Sequence, residues 1–261
     1  MTQNGSPSWS PDGKQIAFDS TTANRDFSVS RLYVISLDEK RHVTDLGNGV
    51  MPTWSSDSKR IAFMLNPNNP TGLPSGIWVT DPTGTETQWL GEGGSPRWSP
   101  RGDLIATADY GRQRAVYLID VESGERRRLF NSDDNQSRSR LTWSPDGRRL
   151  AFVPATPFGS ELFWLVDVDT DQPAPKPLGN VPDAANYPPR YGVPVWSPDG
   201  KRMLFQMFPN QNRGSDLYVI STDNPGPPQK IDHPKMLTSG EASWSPDGTR
   251  IVFAGRLVAD E

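Results

Sequence analysis

The sequence predicts an all-β fold built from six copies of one unit, and three observations carry that prediction. A motif recurs: residues 9–18 read WSPDGKQIAF, and close copies start at Trp54, Trp98, Trp143, Trp196 and Trp244. The six tryptophans lie 45, 44, 45, 53 and 48 residues apart. A period near 45 with short strands in each unit marks a propeller or a similar array. Five of the six copies are followed by an apolar run with an aromatic at one register, Tyr33, Trp78, Tyr117, Trp164 and Tyr218. Together these describe a six-bladed β-propeller with four-stranded antiparallel blades. The blades start near Ser6, Met51, Ser95, Arg140, Val193 and Glu241, and the sixth is incomplete within this chain.

Each motif reads as a β-hairpin. Trp-Ser ends a first strand, Pro-Asp-Gly turns, and Ile-Ala-Phe or its equivalent opens a second. Pro11 presets φ at the first turn position, Asp12 suits the second, and Gly13 supplies the left-handed residue that closes the loop. Ser58 stands where glycine is expected, at a cost of about 1 kcal/mol, and Arg101 replaces the aspartate in the third copy. Third strands are expected at 32–35, 77–80, 116–119, 163–166 and 217–220, each followed by Ser or Asp as a strand-ending residue. Weaker fourth strands are expected at 41–46, 87–90, 126–130, 176–178 and 229–231. Trp9, Trp54, Trp98, Trp143, Trp196 and Trp244, one per blade, are assigned as wedges between neighbouring blades. No amphipathic helix of length is expected.

The W-S-P-D-G-[K/R]-x-[I/L]-A-F signature resembles the WD-like repeat of TolB-type six-bladed propellers. It is similar also to the repeat in propeller domains of the tricorn and prolyl oligopeptidase families. The resemblance covers nearly the whole chain and implies fold more than function, because propellers carry enzymes, scaffolds and lids alike. It implies a periplasmic or other extracytoplasmic parent protein.

Composition narrows the partners. The net charge of −4 and a pI near 5.3 argue against a nucleic-acid binder. The absence of cysteine excludes disulfides and thiolate metal sites. No apolar run is long enough to span a membrane, and no signal peptide is evident. Residues 1–261 are read as one propeller domain, a fragment of a longer protein, since blade six lacks room for its outer strands. That expectation leaves an open edge in blade six and, with it, self-association as one possible partnership.

A four-stranded meander places its Pro-Asp-Gly turns at one end of each sheet and its second-to-third loops at the other. The long, variable loops fall at the second end: 20–30, 65–76, 108–114, 154–160 and 207–215, with connections 131–140 and 179–194. Variable loops on a rigid scaffold are where recognition sits. Candidate binding residues there are Arg25, Phe27, Asn68, Tyr110, Arg112, Arg138, Arg140, Phe158, Tyr191, Phe208, Arg213 and Glu241. Arginines and aromatics of this kind anchor interfaces.

Catalytic readings find little. The chain holds no G-x-S-x-G, and its two histidines, His42 and His233, have no Ser/Asp partner in sequence. Asp167, Asp169 and Asp171 have calcium-loop spacing, but Gln172 replaces the required glycine, and a hairpin turn is due there. No catalytic residue, metal or cofactor is assigned. The expected function is a non-enzymatic scaffold that binds a protein or peptide through the long-loop face. One alternative is the propeller of an enzyme, as a peptidase lid or as a hydrolase or lyase with a channel-mouth site. A truncated or engineered propeller without a function of its own is another.

Overall fold

The computed structural model describes residues 3–21, 27–109, 115–130, 139–153, 161–180, 190–208, 216–232 and 236–257. They form six antiparallel sheets, one per motif copy. Sheet one holds β1 (Gln3–Trp9), β2 (Gln15–Thr21), β3 (Arg31–Ser36) and β4 (Val43–Asn48). Sheet two holds β5 (Val50–Trp54), β6 (Ile61–Leu65), β7 (Gly76–Thr80) and β8 (Thr87–Gly91). Sheet three holds β9 (Gly94–Trp98), β10 (Leu104–Ala108), β11 (Val116–Asp120) and β12 (Arg126–Phe130). Sheet four holds β13 (Ser139–Trp143), β14 (Arg149–Val153), β15 (Glu161–Asp167) and β16 (Lys176–Asn180). In sheet five the first strand is broken into β17 (Arg190–Tyr191) and β18 (Val195–Trp196), followed by β19 (Arg202–Phe208), β20 (Asp216–Ser221) and β21 (Gln229–Lys230). Sheet six holds β22 (Met236–Trp244) and β23 (Ile251–Leu257). A single 3-10 turn, Phe27–Val29, completes the described elements.

Every sheet is a meander, and the predicted third strands lie inside β3, β7, β11, β15 and β20. The register explains the recurring aromatics: Phe18 faces Tyr33, Phe63 faces Trp78, Phe152 faces Trp164 and Phe205 faces Tyr218. Phe18 and Tyr33 stack with centroids 5.5 Å apart, and Phe205 and Tyr218 with centroids 5.8 Å apart. Such cross-strand pairs stabilise a sheet beyond their burial. The fourth strand of sheet one starts two residues later than expected. Arg41 has φ 45°, and Asp38 Oδ1 accepts both the Lys40 and Arg41 amides, so a tight turn occupies the start of the expected strand. His42 belongs to that turn and not to the outer strand.

The chain divides into two compact units, Met1–Ser132 and Asp133–Glu261. In the first, Trp54 shares a cluster with Ala17, Val34 and Ile61, and Trp98 one with Ala62, Val79 and Ile105. In the second, Trp196 packs with Ala151, Phe163 and Met203, and Trp244 with Leu204, Leu217 and Val219. The indole of one repeat thus covers the small or aliphatic residue eight beyond the preceding repeat's tryptophan. Trp54, Trp98, Trp143 and Trp196 are buried and Trp244 half-buried. Trp9 corrects the expectation of six wedges, for it is 61% exposed.

Candidate functional site

At the turn end, one network repeats. The motif serine donates to the aspartate Oδ1 at 2.5–2.7 Å in five copies: Ser10–Asp12, Ser55–Asp57, Ser144–Asp146, Ser197–Asp199 and Ser245–Asp247. The same hydroxyl accepts the amide five residues on, and the aspartate accepts the amide two residues on. The serine bond, ahead of the backbone amide, holds Asp12 and Asp199 below the usual carboxylate range, and Asp247 falls to about 2. In the third copy Arg101 pairs with Asp103 instead, at 3.2 Å. These side chains serve the turn itself.

The opposite end of each sheet is irregular in a recurring way. Between Gly5 and Ser8, Val50 and Thr53, Gly94 and Arg97, and Ser139 and Thr142, two residues of the first strand face one of the second. Sheet five interrupts its first strand at 192–194, and sheet six has three residues between Thr238 and Ala242. These are β-bulges, which re-aim side chains and gather beside functional sites. In sheets one to four the first bulged residue is the expected blade start, Ser6, Met51, Ser95 or Arg140, while Val193 and Glu241 fall inside the longer interruptions of sheets five and six. Ser6, Met51 and Ser95 take φ of 43°, 57° and 50°, a left-handed conformation that costs about 1–2 kcal/mol each for such residues.

Contacts between repeats hold this strain. The buried Asp19 accepts the Met51 amide at 2.8 Å, and Ser95 Oγ donates to Met51 Sδ at 3.2 Å. A Cβ on Gly5 would lie 2.8 Å from Asp19 Oδ1, so a larger residue there would push the carboxylate from its place. The sequence reading missed Asp19 and the bulges. Their one local signal was the proline two residues before the tryptophan in four copies, Pro7, Pro52, Pro96 and Pro194, a residue confined in sheets to edges and bulges.

The described members of the sequence-predicted set lie toward this end. Arg140 and Glu241 stand at their bulges, in β13 and β22. Tyr191 and Phe208 lie in β17 and β19, where Arg190 faces Phe208 and Tyr191 faces Met207. Phe27 opens the 3-10 turn. Asn68 is exposed in the loop before β7. That loop is organised by Asn69, whose Nδ2 donates to the Asn66 and Leu73 carbonyls at 2.8 and 3.1 Å. Trp78 and Trp89 donate from their indoles to Pro74 and Ser75, fastening the loop to the sheet. Arg25, Tyr110, Arg112, Arg138, Phe158 and Arg213 lie outside the described residues, as does His233.

Asp167, Asp169 and Asp171 lie at and beyond the end of β15. Asp167 Oδ1 accepts the Asp169 amide at 2.9 Å, and Thr170 Oγ1 accepts that of Gln172 at 3.2 Å, so these groups shape the hairpin to β16. Among the described residues no three His, Asp or Glu side chains converge as a metal site. No helix among them is long and apolar enough to cross a membrane.

No protein-family model matches the chain. The uncharacterized peptidase YuxL of Bacillus subtilis is 25% identical over 220 residues, covering 79% of this chain and 29% of that protein. The Tol-Pal system protein TolB of Thioalkalivibrio sulfidiphilus is 29% identical over 135 residues, covering 50% of this chain and 28% of that protein. The chain thus spans under a third of the length of either relative. The solved β-propeller domain of the Trilobed protease from Pyrococcus furiosus aligns at a TM-score of 0.66, with 19% identity, over 98% of this chain and 78% of that one. The fold is therefore a β-propeller of the kind found in TolB and in peptidases alike.

Proposed function

We propose that this chain is a non-enzymatic scaffold that binds a protein or peptide at the loop end of its sheets, in an extracytoplasmic parent protein. The observation that carries the reading is the contrast between the two ends of the sheets. The turn end spends its polar side chains on one repeated internal network. The loop end collects bulges, left-handed residues and loops of unequal length, the arrangement in which strain and variability accompany recognition. The resemblance to TolB supports a protein partner.

The test is a binding assay against candidate envelope proteins with two sets of alanine variants. Arg25, Asn68, Arg112 and Arg140 report on the loop end; Lys14 and Lys201, exposed beside their turns, report on the other. Loss confined to the first set supports the reading, and equal loss from both sets overturns it. The similarity to YuxL favours a second reading, the propeller of a longer peptidase. On that reading the loop-end variants alter peptide turnover by the parent protein and leave partner binding unchanged.

A further inference from the structure

Sheet three lies wholly within the first compact unit, and its outer strand concentrates positive charge. In a chain of net charge −4, β12 holds Arg126, Arg127 and Arg128 in succession. Arg126 lies opposite Ile119 and Arg128 opposite Tyr117, so their side chains share one face, while Arg127, opposite Leu118, takes the other. On the shared face two guanidinium groups crowd one ring. That of Arg126 sits 3.5 Å from the centroid of the buried Tyr117, and that of Arg128 sits 5.7 Å from it. Arg128 also donates to the Tyr117 hydroxyl at 3.2 Å. The Arg126 Nε–H is buried and meets no acceptor among the described residues, and a buried donor left unmet marks a place where an acceptor belongs. The neighbouring carboxylates are engaged elsewhere or turned away. Asp120 accepts the Glu122 and Ser123 amides and the Ser123 hydroxyl, and Glu122 pairs with Arg60 at 3.1 Å. Glu125, one residue before Arg126, falls on the face of Arg127.

β12 is also an edge: among the described residues it pairs with β11 alone. The Asp120 amide donates to the Glu125 carbonyl at 2.9 Å, which sets the alternation of this ladder. Arg127 then bonds across to Leu118, while the Arg126 amide and carbonyl and the Arg128 amide point away from β11. The residues of a strand added there that lie opposite Arg126 and Arg128 share the arginines' face. The other outer strands offer less. β16 contains Pro177 and β21 spans two residues, features that blunt an edge. β8 carries no charge, and the one charge in β4 is Asp45.

We propose that the outer edge of β12 binds an extended acidic peptide segment of a partner protein as an added strand. The peptide backbone takes the outward groups of Arg126 and Arg128. Carboxylates at alternate positions take the two guanidiniums, and the one beside Arg126 supplies the acceptor that its Nε lacks. In strand addition of this kind main-chain bonds give affinity and alternate side chains give specificity. The occupant follows from charge. Three arginines in a row repel a second copy of this edge or any basic strand, and they match a segment with Asp or Glu at every second position. The surface runs along the outside of the sheet, apart from its loop end.

Fluorescence anisotropy with the whole 261-residue chain and labelled synthetic peptides tests this. The first peptide alternates glutamate with threonine. The second has the same composition with its glutamates in one block. The third is the alternating peptide with every second amide N-methylated. The alternating peptide is expected to bind. The other two should bind about tenfold more weakly, one having lost the pairing of carboxylates with arginines and the other the bonds to the edge. Arg126→Glu and Arg128→Glu should each weaken binding of the alternating peptide about tenfold, with circular dichroism unchanged. Lys176→Glu, the same charge reversal at an exposed position on the outer strand of sheet four, should leave it unaltered. Failure of the alternating peptide to bind overturns the proposal, and so does equal binding of the block peptide, which would report net charge alone. Wild-type affinity in Arg126→Glu, or an equal loss in Lys176→Glu, overturns it too. The peptide comparison uses the wild-type chain, so it decides the matter even where a charge reversal disturbs the sheet.

Discussion

The turn end and the loop end of each sheet are made by the same strands, yet they are held by different means. At the turn end the motif serine and aspartate side chains find their partners within about six residues of chain, as in Ser197 with Asp199 and the Arg202 amide. At the loop end the bulges take partners from another repeat. Asp19 takes the amide of Met51, and the Met51 sulfur in turn takes the Ser95 hydroxyl. Local closure makes the first end uniform from copy to copy. Dependence on a neighbour lets the second differ from copy to copy, which is what a surface that must distinguish partners needs.

The largest expected effect breaks the comparison at its turn end. Trp196 is buried, donates to Thr142 and lies under Arg149. Trp196→Ala should cost about 3–5 kcal/mol. The exposed Asn68 at the loop end should cost under about 0.5 kcal/mol as alanine. Urea denaturation of the two variants measures the contrast, and equal losses would remove it.

Ser197 comes next. Its hydroxyl is buried and serves both the Asp199 carboxylate and the Arg202 amide. Ser197→Ala leaves both without that partner and should cost about 1–3 kcal/mol. Ser99, whose copy carries Arg101 in place of the aspartate, lacks the charged partner. Ser99→Ala should therefore cost measurably less in the same denaturation series.

What the sequence made legible follows the same division. Strands and turns were readable because their causes are local: alternating apolar runs, an aromatic at fixed register, and proline, aspartate and glycine at set turn positions. The bulges were half-readable, since Pro7, Pro52, Pro96 and Pro194 mark them without revealing which residue turns left-handed. Asp19 was not readable, because its role depends on an amide 32 residues away. Nor was the exposure of Trp9, whose motif is indistinguishable from that of the buried Trp196. Burial belongs to whatever covers the indole, not to the indole's own surroundings in sequence. The cation over the indole was present as an arginine six beyond the tryptophan, but the partner it covers lies in the next repeat.

Acid should act through the turn end. Asp12, Asp57, Asp146, Asp199 and Asp247 are all held below their ordinary value of 3.8 by the motif serine first, Asp247 to about 2. Each therefore binds its proton more weakly folded than unfolded. As pH falls the unfolded chain protonates first, so their stabilisation is complete above about pH 4 and is lost toward pH 2. Denaturation midpoints followed from pH 5 downward should fall across that window. Asp247→Asn should flatten the fall, whereas Asp45→Asn, beside Arg31 in β4, should not alter the contribution of the turns.

The smallest effect concerns Ser58, the one motif turn with a non-glycine residue at the left-handed position. Its φ is 62°, a strain that glycine would relieve by about 1 kcal/mol. The serine also gives something back: its Oγ accepts the Asp12 amide of the preceding repeat at 3.1 Å, an exposed bond contributing about 0.5–1 kcal/mol. Ser58→Gly exchanges one for the other and should shift stability by less than about 0.5 kcal/mol. Ser58→Ala keeps the strain and loses the bond, so it should destabilise by about 0.5–1 kcal/mol. If glycine instead stabilises by the full relief of strain, the bond between the two turns contributes nothing. The serine–aspartate turn would then be held by local bonds alone at this copy, which would sharpen the contrast with the loop end.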